Sequence, residues 1–163
     1  MEEAMPTHPD QTRTESTRKS LFQRNTIFGT RVGGRLAVAT SVARVLAGLL
    51  FILTSFPKFP FAGQAHRDEM AAFVSFGFPD SPTIVLLVGL LELGGGLLLV
   101  LGLGTRIAAI ALAVNMIGAI ATAGVRVGGP FHLGLAPTLL AVMLFLVWSG
   151  TGAFGLDRRI ADE

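Results

Sequence analysis

Three side chains in this sequence have a chemistry at odds with their surroundings. Arg44, Glu92 and Asn115 each stand inside a long apolar run. Glu92 lies near the centre of PTIVLLVGLLELGGGLLLVLGLG, residues 82–104, which holds no other ionisable group. A carboxylate at mid-depth in a bilayer costs about 2.5 to 3.5 kcal/mol on insertion scales, so it requires a partner or a task. Arg44 falls close to the middle of another such run, and the spacing predicts a bidentate Arg44–Glu92 pair between neighbouring antiparallel helices. Asn115, near the middle of a third run, is placed to hydrogen-bond into that pair. Together Arg44, Glu92 and Asn115 form the candidate ligand-binding centre. The competing reading has Arg44 snorkelling toward the aqueous face and Glu92 retaining its proton.

Such a centre needs helices that cross a membrane, and the composition supplies them. Hydrophobic residues make up 51% of the chain, charged residues 15%, and the mean hydropathy is +0.62. That balance is too apolar for an ordinary soluble domain. Four blocks of spanning length stand out, at 36–56, 82–104, 107–125 and 132–150. About 20 residues at 1.5 Å each match a hydrocarbon core roughly 30 Å thick. None of the blocks carries a charged helical face. The expected fold is all-α, a polytopic transmembrane four-helix bundle. The first block reads as a span and not as a cleaved signal, because its charged leader exceeds an ordinary n-region.

Orientation follows from the basic residues. Arg13, Arg18, Lys19, Arg24, Arg31 and Arg35 precede the first block, Arg106 lies in the turn between the second and third, and Arg158 and Arg159 follow the fourth. On the other side Lys58, Arg67 and Arg126 face Asp68, Glu69 and Asp80. The positive-inside rule predicts cytoplasmic N- and C-termini, in a bacterial cytoplasmic membrane. Three regions result: a disordered basic leader over 1–35, the four-span domain over 36–158, and a cytoplasmic tail over 159–163. Leu21, Phe22, Ile27 and Phe28, interleaved with arginines, also suit the surface of an anionic leaflet. In the first outer loop Met70, Phe73, Val74 and Phe76 share one helical side. A short interfacial helix ending near Gly77 and Pro79 is expected there, capping the bundle.

Small residues accompany the polar ones at helical spacing: Ser41, Gly48 and Ser55 near Arg44; Gly89, Gly95 and Gly96 near Glu92; Ala108, Ala111, Gly118, Ala119 and Thr122 near Asn115. Such stripes let helices approach closely, within the bundle or in a homo-oligomer. Pro137 is expected to open the last span locally.

Other chemistries find little support. The chain has no cysteine, which excludes thiol–disulfide exchange and iron–sulfur ligation by this subunit. His66 and His132 lie near the outer face without metal-ligand spacing, so no metal site is expected. No phosphate-cradling loop and no nucleic-acid recognition fold is legible. No catalytic set is expected.

The segment RVLAGLLF at 44–51 followed by Lys58, the segment ELGGGLLLVLGLGTR at 92–106, His132 before the last span, and GLD at 155–157 resemble the DoxX family of membrane proteins. The resemblance covers roughly 36–158 and adds Lys58 and His132 as outer-face polar residues. It implies a four-helix integral membrane fold. Some members are implicated in redox-linked membrane complexes, including a subunit of a thiosulfate:quinone oxidoreductase and a component tied to oxidative-stress resistance. This chain has Ala136 and Pro137 where many members carry a second acidic residue, and TSFP at 54–57 where they often show a His-Gly pair. The first functional reading is a non-catalytic membrane component of a redox-linked or stress-related complex, embedded in the lipid bilayer beside oxidoreductase partner proteins. The alternative is a binder or carrier of a small lipophilic molecule such as a quinone, or a quinone-interacting oxidoreductase subunit. No other cofactor is evident.

Overall fold

The computed structural model describes residues 30–157. Among these the chain is helical throughout, with no strand. Helix α1 covers Gly34–Ser55, α2 covers Gln64–Ser75, α3 covers Pro82–Leu101, α4 covers Thr105–Ala119 and α5 covers Ala136–Ser149. Single turns of π-helix, Ile120–Gly124 and Phe131–Leu135, extend α4 and precede α5. With these extensions four helices are long and apolar enough to cross a membrane: Gly34–Lys58, Pro82–Leu101, Thr105–Gly124 and Phe131–Ser149. The four expected spans are therefore present. The leader's aromatic and basic residues, and all of the leader before residue 30, lie outside the described residues.

The outward faces are apolar, as lipid requires. Leu46, Leu53, Leu87, Ile107, Val114 and Leu144 are exposed on the bundle's exterior. The core is built from Phe51, Leu99, Leu112, Met143 and Leu146, with alanines between them. Hydroxyls inside the spans fold back onto their own helices: Thr40 donates to Leu36 O at 2.8 Å and Ser55 to Ile52 O at 2.7 Å.

One close approach sets the register of α1 against α3. A Cβ on Gly48 would stand 2.7 Å from Gly96 O, and a Cβ on Gly96 would stand 2.7 Å from Gly48 O. The two backbones touch there because neither residue has a side chain. The helices run antiparallel, so four residues from Gly48 back to Arg44 correspond to four from Gly96 on to Val100. Arg44 Nη1 accordingly reaches the carbonyl of Leu99 directly and that of Val100 at 3.5 Å.

This corrects the expected Arg44–Glu92 pair. The expectation aligned the midpoints of the two spans, whereas glycine contact slides α1 along α3. Val100 is eight residues beyond Glu92, about 12 Å at 1.5 Å per residue. Arg44 is buried at 2% exposure, and it serves the C-terminal end of α3, where carbonyls lack helical partners and a cation is favoured. Gly102 ends that helix in the left-handed region at φ 67°, with Leu103 N–H donating to Leu98 O at 3.0 Å.

The segment after α5 completes this end. Its Phe154 carbonyl accepts from Arg44 Nη2, and its Phe154 N–H donates to Ser41 Oγ at 3.0 Å. Asp157, 1% exposed, caps α4 by accepting from Gly104 N–H at 2.6 Å and Thr105 N–H at 2.9 Å. Arg31 N–H donates to Ser149 O at 2.9 Å, so both ends of the described chain meet at this end of the bundle.

Two smaller expectations change. The stripe on the third span does not all pack inward. The buried face of α4 is Thr105, Ala108, Ala109, Leu112, Ala113 and Met116, while Gly118 is exposed. Leu112 fills the notch at Gly95, where a Cβ would come within 2.8 Å of its side chain, and this turns Asn115 and Ala119 toward an internal space. Pro137 stands in the first turn of α5, where proline is tolerated, and the local opening is the π-helical turn just before it.

Candidate functional site: a polar-floored cavity within the bundle

At the end of the bundle opposite the chain ends, α3 projects past α1 by about two turns, and the loop between them folds back into the space. Two 3₁₀ turns, Phe56–Lys58 and Pro60–Ala62, begin the loop, and α2 packs across it. The absence of a side chain on Gly89 admits Lys58, whose Cβ would lie 2.8 Å from a Cβ at that glycine. Lys58 is thereby buried at 7% exposure and does not stand at an outer aqueous face.

Lys58 is the partner that Glu92 requires. Its Nζ lies 3.0 Å from Glu92 Oε2 and 3.1 Å from Glu69 Oε1, and it donates to Thr54 O at 2.9 Å. Three oxygens thus lie within 3.1 Å of the ammonium. Asn115 Nδ2 donates to Glu92 Oε1 at 3.0 Å. Glu92 Oε2 takes no directed hydrogen bond, so its contact with Lys58 is one of charge at close range and not of alignment. Glu69 is the outermost member, with a side chain 25% exposed, which makes a polar chain from α2 down to mid-span.

These groups form the floor of a cavity of about 310 Å³. Phe51, Phe73, Phe76, Leu91, Val114 and Leu139 supply apolar walls, and Lys58, Glu69, Glu92, Asn115 and His132 supply the polar lining. His132 joins through its position in the second π-helical turn. Its ring stands edge-on to Phe76 at 5.0 Å and to Phe131 at 5.1 Å, and its Nδ1 is buried without a hydrogen-bond partner. A π-turn widens a helix and shifts the side chains that follow, and two such turns flank this cavity. An apolar pocket with a few convergent polar groups is the form of a small-molecule site.

Of the residues singled out from sequence, the structure brings Glu92, Asn115, Lys58 and His132 to this one cavity and places Arg44 at the opposite end. Glu69 was missed as a member. The available signal was its place on the inward side of α2 with Phe73, one helical turn away. His66 Nδ1–H donates to Pro57 O, 3.3 Å away, and braces the loop. Among the described residues no three His, Asp or Glu side chains are clustered to hold a metal ion.

Comparison with known proteins agrees with this architecture. The DoxX family profile matches residues 39–125, which include Arg44, Lys58, Glu92 and Asn115. An uncharacterized membrane protein of Mycobacterium tuberculosis is 33% identical, covering 74% of this chain and 80% of the relative. CatD of Bacillus subtilis, named as a candidate oxidoreductase, is 32% identical, covering 74% of this chain and 85% of the relative. No solved structure matches the chain. The membrane-spanning fold, the family's span of the sequence and these relatives agree, and the chain belongs to the DoxX family of integral membrane proteins.

Proposed function

We propose that this protein binds a small lipophilic molecule of the quinone type in the Lys58–Glu92–Asn115 cavity, as the ligand-holding membrane component of a redox assembly. The observation that carries the reading is the cavity itself, about 310 Å³ with aromatic and aliphatic walls around a polar floor. A flat ring with acceptor oxygens suits both parts. Its faces pack on phenylalanines, and its oxygens accept from the second Asn115 amide hydrogen or from Lys58. The name of the Bacillus subtilis relative supports a redox setting, with partner proteins supplying the electron-transfer centres. In this reading the chain does not act as an enzyme alone. The basic residues around both chain ends support a cytoplasmic location for that end, with the cavity toward the far leaflet.

The test is equilibrium binding of a naphthoquinone to the purified protein in lipid nanodiscs. Saturable binding is expected, and Asn115→Leu should weaken it roughly tenfold, equivalent to about 1.4 kcal/mol. Affinity unchanged by both Asn115→Leu and Glu92→Gln would remove the site.

A further inference from the structure

We propose that the cavity receives its ligand sideways from the lipid phase, across Gly118. The ligand would then be an amphiphile whose compact polar head fills the cavity while its hydrocarbon tail remains in the bilayer. This rests on the reading that the cavity holds a small lipophilic molecule.

The lining has two populations. Two of its charged members are deep, with Lys58 at 7% and Glu92 at 5% exposure. Four others are exposed: Phe131, at 49%, stands before α5, while Leu91, at 38%, Val114, at 64%, and Gly118 stand together on α3 and α4. Residues that line an interior space and also face lipid mark the place where the wall between the two is one side chain thick. That place is the seam between α3 and α4.

Gly118 makes the seam a doorway. A Cβ there would meet nothing within 4 Å, whereas Gly48, Gly95 and Gly96 are each closed in by a neighbouring helix. Glycine inside a helix costs about 1 kcal/mol relative to alanine, and at Gly118 no helix packing offsets it. What the missing side chain provides is open space beside the cavity, in the turn before the π-helical segment Ile120–Gly124.

The dimensions select the ligand. A volume of about 310 Å³ is at the lower limit for small-molecule sites, enough for a ring system and too little for a ring with a long chain. The polar floor fixes the head inward, and a tail that leaves across Gly118 meets acyl chains.

The chain has no cysteine, so a thiol introduced by Gly118→Cys is a unique reporter. The probes are a prenylated naphthoquinone and the same naphthoquinone without its tail, and the readout is modification of that thiol by a membrane-soluble maleimide. Ligand at ten times its Kd leaves about a tenth of the sites free, so the tailed probe should slow modification roughly tenfold. The tailless probe should bind and leave the rate unchanged. Val114→Cys, on the same rim, should be protected likewise, which keeps the test open if the first variant folds poorly. Gly94→Cys, also in open space but outside the cavity lining, should be unprotected. Binding of the tailed probe with no protection at either rim position would overturn the lateral doorway and leave the binding reading intact. Binding of neither probe to the unmodified protein would overturn both.

Discussion

The ammonium of Lys58 lies 3.0 Å from Glu92 Oε2, although Lys58 follows the first span and Glu92 sits at the middle of the second. The contact exists because α1 is slid along α3 and because Gly89 leaves room for the lysine stem. It converts an isolated mid-membrane carboxylate into a paired one. Each charge alone would cost several kcal/mol in hydrocarbon, and removing one member of a buried pair strands the other.

Glu92→Gln should therefore destabilise the protein by about 3 kcal/mol, the low end for a broken buried pair, since Glu69 and Thr54 O still hold the ammonium. Adding Lys58→Met should recover most of the loss. Reversible unfolding in detergent, read as a double-mutant cycle, checks the coupling, and additive effects would show that the contact carries no energy.

Arg44 and Glu92 should behave as independent sites. Arg44→Met removes the guanidinium donors from the Leu99 carbonyl, which keeps Gly102 N–H, and from the Phe154 carbonyl, and should cost about 2 kcal/mol. Combined with Glu92→Gln, the losses should add within about 0.5 kcal/mol, as expected of residues that share no partner. A larger coupling in the same unfolding assay would reinstate a direct pair.

Asp157→Ala removes the acceptor for two N–H groups at the start of α4. A loss of about 1 to 2 kcal/mol is expected, typical of an N-cap. Hydrogen exchange should rise at Gly104 and Thr105 and stay unchanged around Lys58. Equal exchange across the bundle would mean the cap is not local.

Gly48→Ala should be costly although alanine favours helix. Its Cβ would meet the Gly96 carbonyl at 2.7 Å and Leu99 Cβ at 3.1 Å, backbone and rigid stem that cannot swing aside. Overpacking of this kind costs about 1 to 3 kcal/mol. Gly94→Ala, with nothing within 4 Å, should be neutral or slightly stabilising by helix propensity. Thermal unfolding of the two variants side by side tests the contrast.

The amino-acid sequence by itself determined the membrane setting, the four spans, a helix between the first two spans and the need of Glu92 for a partner. These follow from local quantities: run length, composition, helical period and the cost of a charge in hydrocarbon. Asn115 could be placed beside Glu92 because both stand near the centres of consecutive spans joined by a tight turn. Tertiary structure alone decided which cation answers the carboxylate. Span midpoints do not fix how far one helix slides along another; that offset is set where two glycine-backed surfaces touch, at Gly48 and Gly96. The same offset sends Arg44 to the end of α3, brings Lys58 down to Glu92, and leaves room for a cavity. The two π-helical turns beside that cavity have no signature in hydropathy, because they express how the helix ends are packed and not what residues compose them.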